Sequence, residues 1–320
     1  MKAKWLRALL LAVLLSLAWT SSWAQNTVLI TPVGSHTGEF CRNDRALIFE
    51  DPSGLRILYD PGRTVTGGTD TRLGNINVML LSHVHVDHIG EKAISAVDVG
   101  NCGDDTAAVP KAPNSNFAEI AAAKGSTVLV GGEMHTFLDG KIDAAAGVNT
   151  NQTQVLRPGG KQTISGVTFA TVAAKHSNGV DRVFLTNPPA DNLTAYVGPE
   201  QGYVITFSNG LVVYLSGDTG VISDMDTVVR QQYRAELAVI NIGDTFSTGP
   251  EEAAFAINKL IKPKAVIPSH ANEEATSGGM VKAGTKTQRF IDLVGGAKVH
   301  VPLSGVAMEF TANGTCINGC

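Results

Sequence analysis

Short apolar runs punctuate this chain, and several of them stop at a residue able to bind metal. Val78–Leu81 reads as a buried strand and is followed by Ser82 and then His83-Val84-His85-Val86-Asp87-His88. Val167–Ala174 is β-branched and leads to His176; Leu211–Leu215 leads through Ser216 and Gly217 to Asp218. Ala265–Ile267 leads through Pro268 to His270. Further strands are predicted at Val28–Ile30, Ala46–Phe49, Arg56–Tyr59 and Thr127–Val130, separated by Gly, Asn, Asp and Pro. Helical spacing is predicted over Asn114–Lys124, over a segment from Glu91 to Val97, and from Pro250, where Glu251 and Glu252 suit a helix start. The apolar face of that last helix is Ala253, Ala254, Ile257, Leu260 and Ile261. Strands interleaved with helices imply an α/β layer architecture. The stretch Asp139–Gln162, rich in Gly, Asn and Ala, is predicted as a mobile loop and hairpin.

The His83–His88 stretch carries the chemistry. Alternate residues of an extended segment project to the same side, so His83 and His85 can share one ion. Asp87 and His88 fall where the chain turns, and can face a second ion beside the first. Four polar side chains placed directly after a buried strand are costly unless paired or coordinated. Asp218 is suited to bridge, because one carboxylate can offer an oxygen to each of two ions. His135 has no partner motif and is expected to be satisfied locally or to face solvent. Asp244 reads as a turn or cap residue. Asp60, in Asp60-Pro61-Gly62, reads either as a strand-ending turn or as a carboxylate that orients a ligating histidine.

Composition narrows the partners. The chain has 320 residues, 43% apolar and 17% charged, enough for one large domain with its own core. A net charge of −4 leaves no electrostatic footprint for nucleic acid, and 6% aromatic content offers few stacking platforms. The N-terminus has the form of an export signal. Lys2, Lys4 and Arg7 precede an apolar core, Leu9–Leu17, and Ser22 and Ala24 suit cleavage. Residues 1–24 are therefore expected to be removed, leaving a single domain over 25–320 with no membrane attachment. In an oxidising compartment Cys41, Cys102, Cys316 and Cys320 are expected to form disulfides, with three pairings open. The loop from Asn178 to Gly202 leaves directly after His176 and is expected to wall a substrate cleft.

The His-x-His-x-Asp-His motif resembles the signature of the metallo-β-lactamase-fold hydrolases. Together with Val213–Met225, Ile242–Ala253 and Lys262–His270, it resembles the UPF0173 metal-dependent hydrolases, relatives of the ascorbate-phosphate lactonases. The resemblance runs with gaps from about Thr31 to His270, and its substrates are not carried over. It implies an α/β (α+β) fold, the four-layer αββα sandwich, with the site at one edge between two sheets. It further implies that His83, His85 and His176 hold one ion, that Asp87, His88 and His270 hold the other, and that Asp218 bridges. Two divalent ions are implied, most simply zinc, with manganese or iron compatible with the same donors. Such a pair lowers the pKa of a shared water from 15.7 towards roughly 7, so that a bridging hydroxide attacks the substrate. Asp87 is implied to take or return a proton. The expected activity is hydrolysis of a small-molecule ester, lactone or phosphodiester. A β-lactamase-type amide hydrolase is the alternative, against which Asp218 weighs, and an iron-dependent dioxygenase is the alternative from another class.

Overall fold

The computed structural model describes residues 26–188, 191 and 193–320. The export signal expected over residues 1–24 lies outside them. Two sheets face one another. The first has eight strands, in the order Cys316–Asn318, Met308–Phe310, Val28–Pro32, Leu47–Glu50, Arg56–Tyr59, Val78–Leu80, Thr127–Val130 and Thr153–Val155. The second has seven, in the order Lys298–Val299, Ala265–Ser269, Leu237–Asn241, Val212–Leu215, Gln201–Thr206, Val167–Ala173 and Lys161–Ile164.

Side-chain alternation in these strands builds three apolar layers. Ile57, Tyr59, Val78, Leu80 and Leu129 point inward to meet Phe169, Tyr203, Ile205, Val213 and Val239 of the other sheet. Their neighbours Leu58, Met79, Val128 and Val130 point outward onto Phe117, Ile120, Met134, Leu138 and Ile142. On the far side, Tyr214, Ala238, Ile240 and Val266 pack against Ala253, Ile257, Ile261 and Phe290. A period of two in each strand thus supplies both faces of each sheet, which is why the runs read as continuously apolar. The result is the four-layer αββα order.

Two expectations are corrected. The segment from Glu91 to Val97 is not helical: Lys92–Ile94 is a strand paired with Ala107–Pro110. Ion pairs from Arg63 to Glu91 and from Lys92 to Asp105 hold it there. The helical turn instead falls on the motif itself, at Val86–Ile89. It stops at Gly90 in the left-handed conformation (φ 78°), where an added Cβ would lie 2.4 Å from the Gly62 carbonyl oxygen. The other correction concerns residues 139–162. Gly132–Ala146 is a 15-residue helix, and Met134, Leu138 and Ile142, four apart, are the buried stripe that docks it. Only the later part, Lys161–Ile164 paired with Val167–Ala173, is the expected hairpin. His135 lies on that helix, half-buried and away from the centre described below.

The cysteines pair Cys41 with Cys102 and Cys316 with Cys320. The first bridge fastens the loop before Leu47 to the segment after the histidine motif, and the Arg42 amide adds a hydrogen bond to the Cys102 carbonyl at 3.0 Å. The sheets are tied by Tyr203, which is fully buried. Its hydroxyl lies 2.8 Å from the Leu81 carbonyl oxygen and 2.9 Å from that of Leu129, and accepts from the Gln201 amide at 2.5 Å. Both carbonyls belong to the opposite sheet's motif edge, so this one phenol helps set the distance between the two halves of the site. Tyr203→Phe leaves them without that donor and is expected to lower the unfolding free energy by about 1–3 kcal/mol, readable as a lower urea midpoint at unchanged slope.

Candidate metal centre

Strand direction decides where the chemistry gathers. Arg56–Tyr59, Val78–Leu80 and Thr127–Val130 run parallel, as do Val212–Leu215, Leu237–Asn241 and Ala265–Ser269. The residues after their C-terminal ends therefore emerge at shared edges, and those edges face each other. Asp60 follows the first of these strands and His83 the second; Asp218 and His270 follow strands of the other sheet. Val167–Ala173 is antiparallel to Gln201–Thr206, which is antiparallel to Val212–Leu215, so it runs the same way and delivers His176 to the same place.

All seven residues singled out by the sequence converge. His83 Nε2 lies 3.0 Å from His85 Nδ1, which lies 3.1 Å from His176 Nε2. One ligand atom from each of the three falls within 4.8 Å of the others, and the same holds for Asp87, His88 and His270. Asp218 sits between the sets. Its Oδ1 is 3.4 Å from His88 Nε2, and its Oδ2 is 3.3 Å from His270 Nε2 and 3.8 Å from His176 Nε2. Gly217 (φ 60°) makes that approach possible, since an added Cβ would stand 2.9 Å from the Ser82 Cβ and 3.0 Å from the Gln201 carbonyl oxygen.

Asp60 resolves to the orienting role. It is buried, accepts the Ser82 amide at 2.8 Å and the Ser82 hydroxyl at 2.7 Å, and lies 2.8 Å from His88 Nδ1. That contact holds the His88 ring with Nε2 turned towards Asp218. Ser177 Oγ stands 3.3 Å from His85 Nε2. The Asn178 side chain accepts the Val84 amide at 2.9 Å and donates to the Gly198 carbonyl at 3.0 Å, locking the motif to the loop beyond His176.

The electrostatics fit cations. Burial holds His83 well below the usual imidazole range and also lowers His85 and His176, with further lowering from neighbouring imidazoles. All three are then neutral near pH 7, with lone pairs free to donate. His88 goes the other way. Burial opposes its charge, but Asp218, Asp87 and Asp60 overcome this and push it up to about 10. Asp87 and Asp218 are held well below the usual carboxylate range despite burial, Asp87 first by Arg45 and Asp218 first by His270. His88 Nε2 and Asp218 Oδ1 are buried with no hydrogen-bond partner. A divalent ion there would take the place of the His88 proton and satisfy both atoms.

A cavity of about 960 Å³ opens over the centre. His85, Asp87, Asp218 and His270 form part of its floor, and Ser177, Gly179, Asp181 and Thr194 bring the loop after His176 into its wall, as expected. Asp244 and Phe246 line it from the turn after Leu237–Asn241 of the same sheet, where Asp244 and Thr245 both have positive φ. Phe246 is 71% exposed there. Sequence reasoning missed Arg45. It is buried and forms an ion pair with Asp87, yet Asn43-Asp44-Arg45 has only the look of a polar turn before a strand.

Comparison with known proteins agrees with this geometry. Residues 43–270 match the Beta-lactamase superfamily domain. The chain is 31% identical over 241 residues, 71% of its length and 72% of the relative's, to a UPF0173 metal-dependent hydrolase of Polynucleobacter asymbioticus. It is 28% identical to one of Cupriavidus necator, over 81% of each chain. Among solved structures, Igni18, a metallo hydrolase of Ignicoccus hospitalis, shares the fold at a TM-score of 0.59 and 22% identity, covering 89% of this chain and 98% of that one. The chain is thus an enzyme of the beta-lactamase superfamily with the metallo-β-lactamase fold; within it, it belongs to the UPF0173 metal-dependent hydrolases.

The orienting carboxylate gives a direct test. Asp60→Asn keeps the bond from the Ser82 amide but weakens the hold on His88 Nδ1. Metal affinity is expected to fall roughly 10–100-fold, measured by calorimetric titration of the metal-free protein, with far-UV circular dichroism unchanged.

Proposed function

We propose that the protein is an exported dinuclear hydrolase that opens an ester, lactone or phosphodiester in a small-molecule substrate. The position of Asp218 carries this reading, since its Oδ2 stands 3.8 Å from His176 of one donor set and 3.3 Å from His270 of the other. His83, His85 and His176 would hold one ion, Asp87, His88 and His270 the other, and Asp218 would join them. The imidazole and carboxylate donors suit zinc, with manganese or iron compatible. Bound ions would supply an activated water and positive charge at the electrophile.

The chain's own groups supply the rest. Asp60 and Ser82 keep the His88 and His83 rings in register, so the donor atoms need no rearrangement during turnover. Asp87 Oδ2 is engaged by Arg45 and His270. Oδ1 is left to accept the proton released as the attacking water loses it, and to return it to the leaving oxygen. Arg45 keeps Asp87 ionised. The walls after His176 and around Phe246 shape the substrate. A bridging carboxylate favours these bonds over the β-lactam amide.

Export rests on the N-terminal pattern and on the two disulfides, which persist in oxidising compartments. N-terminal sequencing of material from the cell envelope or medium is expected to begin near Gln25; an intact Met1 would remove the export reading.

Metal analysis of purified protein is expected to give two zinc or manganese ions per chain; one iron with oxygen uptake would point to a dioxygenase. A chromogenic panel of esters, lactones, phosphodiesters and a cephalosporin then assigns the bond. His85→Ala and Asp218→Ala are each expected to abolish turnover while circular dichroism stays native, and near-normal rates in either would refute the site.

A further inference from the structure

Arg45 stands beside the centre without a part in the chemistry described so far. It precedes the Leu47–Glu50 strand, and its side chain is 2% exposed. Its Nη1 pairs with Asp87 Oδ2. That same oxygen is 3.1 Å from His270 Nε2 and 3.9 Å from His88 Nε2, so it is the atom at which the second donor set converges. The charged and titratable groups that share a small cavity with Arg45 are Tyr59, Asp60, His88, Asp218 and His270. The neighbouring carboxylate, Asp44, is taken up by the amides of Ser35 and Cys41. The Arg45 Nε is buried with no partner.

We propose that Arg45 grades the two metal sites, its guanidinium occupying the Asp87 oxygen so that the second ion binds later and more weakly than the first. The inference rests on the reading that the two donor sets hold ions. A guanidinium has donors only and cannot itself ligate the ion. An incoming dication must therefore share a carboxylate oxygen with a fixed cation, or displace it towards Asp60, already bonded to Ser82 and His88, and Asp218, the carboxylate this reading gives to the ions. The first set, His83, His85 and His176, contains no carboxylate to be neutralised in this way. The same ion pair has a use in the metal-free protein. Asp60, Asp87 and Asp218 lie close together, and removing one partner of a buried pair leaves an uncompensated charge. Arg45 then acts as a stand-in cation until the second ion arrives.

The test is calorimetric titration of metal-free protein with Zn²⁺, alongside zinc counts after dialysis at limiting metal. Wild type is expected to show two steps, the second weaker by about tenfold or more, the span over which groups around a metal's ligands commonly move affinity. Arg45→Met, which keeps the aliphatic stem, is expected to tighten the second step by about tenfold and leave the first unchanged. Arg45→Lys should retain the wild-type grading. Metal-free Arg45→Met should also melt lower than metal-free wild type, and the gap should close with zinc. If Arg45→Met does not fold, Arg45→Gln, which keeps a donor but no charge, reads the same difference. Two equal steps in wild type, or a second step that is unmoved or weaker in the folded uncharged variants, would overturn the grading while leaving a dinuclear hydrolase intact. No zinc uptake by wild type would overturn both.

Discussion

The centre depends on one histidine held between two acids from different sheets. His88 meets Asp60 through Nδ1 and faces Asp218 through Nε2. Asp60 comes from the end of a strand in the first sheet, and Asp218 from a glycine turn in the second. Buried carboxylates are tolerated only when hydrogen-bonded or countered by positive charge. Asp60 takes two bonds from Ser82 and one contact with His88, whereas Asp218 is left with an unpartnered oxygen. That imbalance makes the spot a place for cations rather than a stabilising ion pair.

Around this contact the sandwich acts as a jig. Parallel strands bring their C-terminal ends to one edge of each sheet, and the apolar layer between the sheets sets the gap across which donors meet. Tyr203 and the Gln201 amide, which donates to the Ser82 carbonyl at 3.1 Å, join the sheets just behind the motif. Ligands placed on rigid strand ends rather than on long loops lose little order when an ion binds. The cavity walls are the reverse. They come from the loops around Gly179, Thr194 and Phe246, where the chain is less regular and substrate preference is free to change without moving the ligands.

Much of this was legible in the chain. His83 to His88 announced themselves because four ligand-type residues follow one apolar run, and Asp218 because glycine flanks a lone carboxylate after another. The misreadings have physical causes. A window as short as Glu91–Val97 cannot separate helix from strand by period, and ion pairs to Arg63 and Asp105 settled it as strand. The Gly132–Ala146 helix was hidden by Gly132, Gly140 and a run of alanines, although Met134, Leu138 and Ile142 carried the spacing. Arg45 left no local sign, since its partner lies 42 positions away and only the fold joins them.

The amino-acid order alone determined the kinds of donors, the strands that end in them and the apolar alternation that stacks two sheets, because those depend on neighbours a few positions apart. Tertiary structure decided which donors share an ion-sized space, that Asp60 orients His88 rather than merely ending a strand, that Cys41 pairs with Cys102, and that a buried guanidinium sits on Asp87. Those are contacts between distant segments. They follow from strand direction and the spacing between sheets, which no local pattern records.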